Sequence, residues 1–301
     1  MATTTADSRP RPASRWIGHA GTYVLLIVWA VISLFPVFWT ITTATKTAAD
    51  VTQGHILPWV DFVPDWRGWR SLGLSPDTIL RPSTARDEFL FRFLNTVTTA
   101  VGASLLALVL GSLAAFGLSR FRYRIGIFRN DDISFFFLSQ LILPPVVLAL
   151  PFLVLYRELA FLDTTIGLTI LYTLTVLPIT VWIMRDQFDA IPKELDEAAL
   201  VDGLSSWGVF FRIMLPLATP GMVSAFIISL ILCWNEYFFA ALLTSADAKT
   251  LPDLVASQTS AQGINWWSMA ALSTAAVAPL VVLGVFLERF IVKGLTAGAV
   301  K

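Results

Sequence analysis

The sequence predicts an all-α membrane protein: a bundle of six transmembrane helices carrying a pair of short helices in one cytoplasmic loop. Three observations predict it, namely composition, the placement of charge, and one acidic loop. Of 301 residues, 56% are hydrophobic and 14% charged, against roughly 25% charged in an ordinary soluble domain. So few charges, bunched into clusters, do not supply the polar surface that a soluble core of this size requires. The 21 Lys and Arg balance the 21 Asp and Glu, which excludes both the basic field of a nucleic-acid binder and an acidic disordered tail. A single cysteine, Cys233, lies in an apolar run, so no internal disulfide forms and the side chain reads as a small buried hydrophobe.

The elements follow from where charge is absent. Residues 17–45, 93–119, 133–156, 164–184, 216–243 and 267–287 are each long enough to cross a hydrocarbon core of about 30 Å at about 1.5 Å per residue. The last is placed inside a longer uncharged run, 254–287, whose first half is polar. Residues 1–15, rich in Thr, Pro and Arg, read as a disordered cytoplasmic tail, and 16–301 as one transmembrane domain. The first apolar stretch far exceeds the h-region of a secretory signal and five more spans follow, so it reads as a retained helix. Pro36, Pro178 and Pro279 fall inside spans as kinks. Trp16, Trp39, Trp182, Trp234, Trp266 and Trp267 fall near span ends, where indoles anchor at headgroup level.

Positive charge sets the orientation. Thirteen Lys and Arg flank the spans on the side of both termini, while the two short loops on the other side hold only Arg157 and Lys249. The positive-inside rule then places both termini in the cytoplasm of a multi-pass plasma-membrane protein. The loop 46–92 carries six basic and six acidic residues. A balanced loop of that length is translocated despite its arginines, so it is placed outside as a small folded excursion.

Between the fourth and fifth spans lies the loop 185–212, with six carboxylates and three basic residues. Pro192 suits a helix start, Glu194, Asp196 and Glu197 complement the positive end of the dipole, and Gly203 supplies a left-handed stop. Ser205 or Ser206 then caps a second short helix before Pro216. On the first helix, Leu195, Ala198, Ala199 and Asp202 fall on one narrow face whose small side chains let another surface approach the backbone. An acidic helix is repelled by anionic lipid, so this one is read as docking a protein rather than the membrane.

The spacing here carries a resemblance. Glu197-Ala198-Ala199, Gly203, Ile213 and Leu215-Pro216 match the fixed positions of the EAA loop in permease subunits of ATP-binding-cassette importers. Trp234-Asn235-Glu236 and the terminal segment ending Gly298-Ala299-Val300-Lys301 resemble the carbohydrate branch typified by the maltose permease. Residues 139–145, which read SQLILPP, are more similar to polyol and related sugar permeases. The resemblance implies a six-span importer permease that moves a sugar or sugar-like solute, an oligosaccharide, polyol or sugar phosphate, into the cytoplasm. It implies as partners a second related permease subunit, two cytoplasmic ATPase subunits that dock on the 192–216 loop, and an extracytoplasmic solute-binding protein. It also implies a C-terminal ATPase contact at Gly298, Ala299 and Lys301.

Consistent with a passive subunit, no phosphate-loop motif occurs, and His19 and His55 form no metal-ligand spacing. The chain is therefore expected to be non-catalytic and to bind no cofactor, with ATP and Mg on the partner ATPase. Candidate pathway residues are Gln140 and Pro144 in the third span, and Asn235 and Glu236 in the fifth. Gln140 offers an amide either to a sugar hydroxyl or to a neighbouring helix. Glu236, ionisable at membrane depth, either lines a cavity or holds span-end backbone groups. The alternative class is a secondary transporter or a channel subunit for a small polar solute. Such proteins carry coupling carboxylates within their spans, and five of these six hold no acidic residue.

Overall fold

A computed structural model describes residues 12–260 and 263–296. The chain runs α1 (Pro12–Thr43), α2 (Ala48–Gln53), α3 (Arg67–Ser71), α4 (Thr84–Arg120), a ribbon of β1 (Arg124–Ile125) and β2 (Phe128–Arg129), then α5 (Asn130–Ser139), α6 (Pro145–Glu158) and α7 (Thr165–Asp189). It continues through α8 (Lys193–Val201), α9 (Ser206–Val209), a π turn (Phe210–Met214), α10 (Leu215–Leu217), α11 (Thr219–Trp234), α12 (Phe238–Leu243) and α13 (Leu251–Ala256). A second ribbon, β3 (Thr259–Ser260) with β4 (Gly263–Ile264), leads into α14 (Trp266–Thr296). Both ribbons are antiparallel, pairing Arg124 with Arg129 and Thr259 with Ile264.

Among the described residues, four helices are long and apolar enough to cross a membrane: Gly21–Thr43 within α1, Thr84–Arg120, Thr165–Asp189 and Trp266–Phe286 within α14. The two other predicted spans are broken. Asn130–Ile142 and Pro145–Glu158 meet at 93°, and Ser206–Leu217 meets Thr219–Trp234 at 76°, giving up to six spans when each bent pair counts as one. The prolines explain the breaks. Pro144 and Pro145 donate no N–H, and Pro144 has extended backbone that ends one segment and opens the next. Pro216 and Pro220 flank Ala218, and each lacks the N–H that would bond one turn back.

Several expected boundaries are corrected. The fifth span does not run unbroken over 216–243; it stops at Trp234 and restarts at Phe238, because the Glu236 carboxylate takes the N–H groups of Phe239 and Ala240 at 2.9 and 3.2 Å and so begins a new helix. Within the excursion 46–92, α4 already begins at Thr84, where Ser83 caps it by accepting the Arg86 N–H. The tail 1–15 is also cut back, since α1 begins at Pro12, a residue suited to a first helical turn. Likewise α7 runs on to Asp189, five residues past the expected end at 184, with Arg185 and Asp189 paired one turn apart at 3.6 Å. The predicted kink residues Pro36, Pro178 and Pro279 lie inside α1, α7 and α14.

The described chain divides into two compact units. The first comprises residues up to Ile79 with Asn265–Thr274. Within it Gly68 packs so closely on the backbone of Ala44 and Trp267 that a methyl group there would lie 2.5 Å from the Trp267 carbonyl oxygen, and Lys46, fully buried, lays its ammonium 3.7 Å from the centre of the Trp39 ring.

The second unit comprises Leu80–Ile264 and Ala275–Lys301. Its axis is α4 packed along α7, and close approach needs small residues: a Cβ on Gly111 would meet the Thr180 methyl at 2.7 Å. Trp234 is corrected from a headgroup anchor to a core residue. It is buried, its ring meets Phe93 edge-on, and its indole N–H donates to the Ala276 carbonyl at 3.1 Å.

Candidate functional site

The acidic loop folds as two short helices joined by a tight turn. Pro192 precedes α8, whose first turn holds Glu194 and Asp196 near the positive end of the dipole. The helix ends at Gly203, with φ +89°. The Leu204 N–H returns to the Ala199 carbonyl at 3.0 Å and the Gly203 N–H to Leu200 at 3.1 Å, a Schellman closure that requires the left-handed residue where Gly203 stands. Ser205 then caps α9 by accepting the Gly208 N–H at 3.2 Å. Each signal read from the sequence is thus used locally.

Beneath the hairpin lies an aromatic core. Phe116 of α4, Phe188 of α7 and Phe210 of the π turn pack with Met184, Met214, Val209 and Ala199. The Phe116 and Phe210 rings are 5.0 Å apart, and Phe116 meets Phe188 edge-on at 6.1 Å. Ile213 and Leu215 are half-buried against the same core, while Pro216 is exposed.

The expected strip on α8 is corrected: it is not one outward face. Ala199 is buried in the core, whereas Leu195, Ala198 and Asp202 are exposed. The reason is Asp196. It shares the inward side with Ala199 and is drawn in by an ion pair with Arg120 at the end of α4. The sequence places Asp196 in the first turn of α8 and Arg120 on the basic side of the membrane but does not show that the two pair. The available signal was Arg120 standing as the first charge after the long uncharged run of α4, with Asp196 three residues before an alanine that must pack.

Glu197 points away from the core. It is exposed and makes no ion pair among the described residues. It borders a cleft of about 180 Å³ lined by Phe116, Arg120, Lys193, Leu200 and Ser206. Leu195, Val201, Trp207 and Phe211 are exposed on the same segment, so its surface combines carboxylates with apolar groups. That pattern fits a protein surface bearing a basic residue.

The pathway candidates fall into two places. Gln140 directs its amide N–H to the Phe136 carbonyl at 3.4 Å, within its own segment, and Pro144 lies exposed at the 93° break. Asn235 donates to Ile231 at 2.8 Å, and the Glu236 carbonyl accepts the Tyr172 hydroxyl at 3.2 Å. No hydrogen bond joins the two places among the described residues. Gly298, Ala299 and Lys301 lie outside the described residues.

Comparison with known proteins gives one consistent answer. Residues 107–296 match the family model described as binding-protein-dependent transport system inner membrane component. The chain is 32% identical over 290 residues to an inner membrane ABC transporter permease protein of Escherichia coli, YcjP, covering 95% of this chain and 98% of that protein. It is 31% identical over 289 residues to DasC, a diacetylchitobiose uptake system permease protein of Streptomyces coelicolor, covering 94% and 98%. Among solved structures, a chain of a bacterial ABC transporter involved in import of the acidic polysaccharide alginate superposes with a TM-score of 0.70 at 21% identity, covering 93% of this chain and 98% of that one.

Proposed function

The chain belongs to the family of inner membrane components of binding-protein-dependent transport systems, and from that premise we propose that it is the permease subunit of an ATP-driven importer carrying a sugar or sugar-like solute into the cytoplasm. The observation that carries the coupling is the hairpin of α8 and α9, ended by Gly203 at φ +89° with Glu197 exposed beside it. Two cytoplasmic ATPase subunits dock on the 192–216 loop and supply ATP, Mg and the hydrolysis. A second, related permease chain completes the path, because six helices enclose too little space for a sugar. A solute-binding protein outside delivers the cargo. This arrangement places both termini and the hairpin in the cytoplasm, in keeping with the thirteen Lys and Arg on that side.

In this reading Glu197 meets a basic residue of the ATPase, and Ala198, Ala199, Gly203, Ile213, Leu215 and Pro216 keep the hairpin rigid as ATPase closure pulls it. Gln140 and Pro144 line the solute path at the 93° break, and Asn235 and Glu236 line it at the interruption between α11 and α12, where backbone carbonyls are freed to face water. Gly298, Ala299 and Lys301 reach the ATPases. Amides at Gln140 and Asn235, with no Lys or Arg in α6 before Arg157 or in α11, favour a neutral oligosaccharide or polyol over a sugar phosphate. The 31% identity to a diacetylchitobiose permease protein supports the oligosaccharide.

The test is import into proteoliposomes holding the chain with its partner permease, ATPases and binding protein. Uptake of a neutral disaccharide is expected only with ATP inside and binding protein outside. Uptake that proceeds without ATP would move the chain to the secondary transporter or channel class.

A further inference from the structure

Arg120 ends α4 with a side chain only 7% exposed, and its guanidinium is shared among three separate stretches of chain. It pairs with the Asp196 carboxylate on α8. It donates to the Ile191 carbonyl at 2.9 Å, in the turn that leads into α8. The same nitrogen lies 3.7 Å from the Met214 sulfur in the π turn beyond α9. A further N–H reaches the Ser119 hydroxyl at 3.1 Å, which itself donates to Asp189 at the end of α7. One side chain therefore holds the entry to the hairpin, its first helix and its exit, and connects them with the ends of α4 and α7.

Apolar contact alone would not fix this arrangement. The hydrophobic effect is non-directional, so a hairpin resting only on Phe116, Phe188 and Phe210 would be free to slide or swivel over them. A planar guanidinium presents its donors in a fixed fork and defines an orientation. Burial sharpens the requirement, since a charge pair removed from water tolerates separation poorly.

We propose that Arg120 and Asp196 form the joint that converts displacement of the hairpin into displacement of α4, so that Arg120 is a positioning residue for the coupling of ATP hydrolysis to transport. This rests on the importer reading above. Because α4 is packed along α7 and α11, a rigid joint delivers movement of α8 to the centre of the second unit in one step. A loosened joint lets α8 follow the ATPase while α4 stays behind.

The test uses the full reconstituted complex and measures assembly by co-purification, and the number of ATP molecules hydrolysed per solute imported. Asp196→Asn and Arg120→Lys are expected to assemble normally and to raise that ratio about tenfold, a size typical of site-to-site coupling. Asp196→Glu, which keeps the carboxylate, is expected to return the ratio to near the wild-type value. A residue needed only for folding would lower uptake and hydrolysis together and leave the ratio alone. The proposal is overturned if assembled Asp196→Asn and Arg120→Lys keep the wild-type ratio, if Asp196→Glu is as uncoupled as Asp196→Asn, or if neither charge variant assembles, which would make the pair a folding element. Failure of the importer reading itself looks different: the wild-type complex would then show no ATP-dependent uptake at all.

Discussion

Asp163, in the turn between α6 and α7, accepts the Ser245 hydroxyl at 2.8 Å from a loop far along the chain. The main-chain N–H groups of Ser245, Ala246, Asp247 and Ala248 also point at its carboxylate, at 2.9 to 3.1 Å. The Asp163 N–H completes the link by donating to the Leu243 carbonyl at 2.8 Å. A single carboxylate thus organises the loop after α12, on a stretch of chain remote from the acidic hairpin.

The latch should be pH-dependent. Partial burial by itself would raise the Asp163 pKa, but hydrogen bonds from Ala248, Ser245 and Asp247 outweigh it and hold the group well below the usual carboxylate range. Since the folded state lowers the pKa, the stabilisation is present above the unfolded value of about 4 and is lost as pH falls below it. Asp163→Ala is expected to cost about 2 kcal/mol at neutral pH. Thermal unfolding in detergent checks this: the gap between wild type and variant should close as the pH is taken below about 4, and a gap constant from pH 7 to 3 would refute the latch.

Gly203 tests the turn of the hairpin. A Cβ there meets nothing within 4 Å, so the cost of substitution comes from φ +89° alone, about 1 to 2 kcal/mol for an L-residue. Asn tolerates that conformation better than a β-branched residue. Gly203→Val should insert at normal abundance yet lose uptake, while Gly203→Asn should retain most of it. Equal uptake by the two variants would show that the left-handed turn does not matter.

Glu197 tests the outward face. Being exposed and without an ion pair among the described residues, it contributes little to folding, so Glu197→Lys should leave thermal stability within about 0.5 kcal/mol of wild type. Uptake is nonetheless expected to disappear, because the new charge opposes a basic partner. A variant that transports normally would remove Glu197 from the docking surface.

Trp234 tests the inward turn of α11. Trp234→Phe keeps an aromatic ring against Phe93 but strips the hydrogen bond from the buried Ala276 carbonyl. The expected loss is about 1 to 3 kcal/mol, visible as a lower unfolding temperature. No measurable change would mean that the indole N–H contributes only packing.

The uncharged runs located α1, α4, α7 and α14, because burying a charge in lipid is costly enough that its absence is diagnostic. The hairpin was equally legible. Its start, stop and second cap depend on Pro192, Gly203 and Ser205, whose effects reach only a turn or so along the chain. Pro144-Pro145 marked a break in the third span, but the sequence did not show the bend at Ala218 or how far either break turns the chain. A proline marks where a hydrogen bond is lost, and the angle that results, 93° or 76°, depends on what packs on either side.

The sequence by itself determined that this chain is a membrane helix bundle with a rigid acidic hairpin, since both properties follow from local charge and local backbone preference. The tertiary structure alone decided which carboxylates are paired and which face solvent. Asp196 and Glu197 are adjacent and chemically alike, yet one is drawn inward by Arg120 and the other faces solvent. Glu236 opens a new helix instead of continuing an old one, and Trp234 turns into the core. Each outcome depends on a partner distant in sequence or on the local competition for backbone hydrogen bonds, and helical periodicity specifies direction without specifying the neighbour that will be met there.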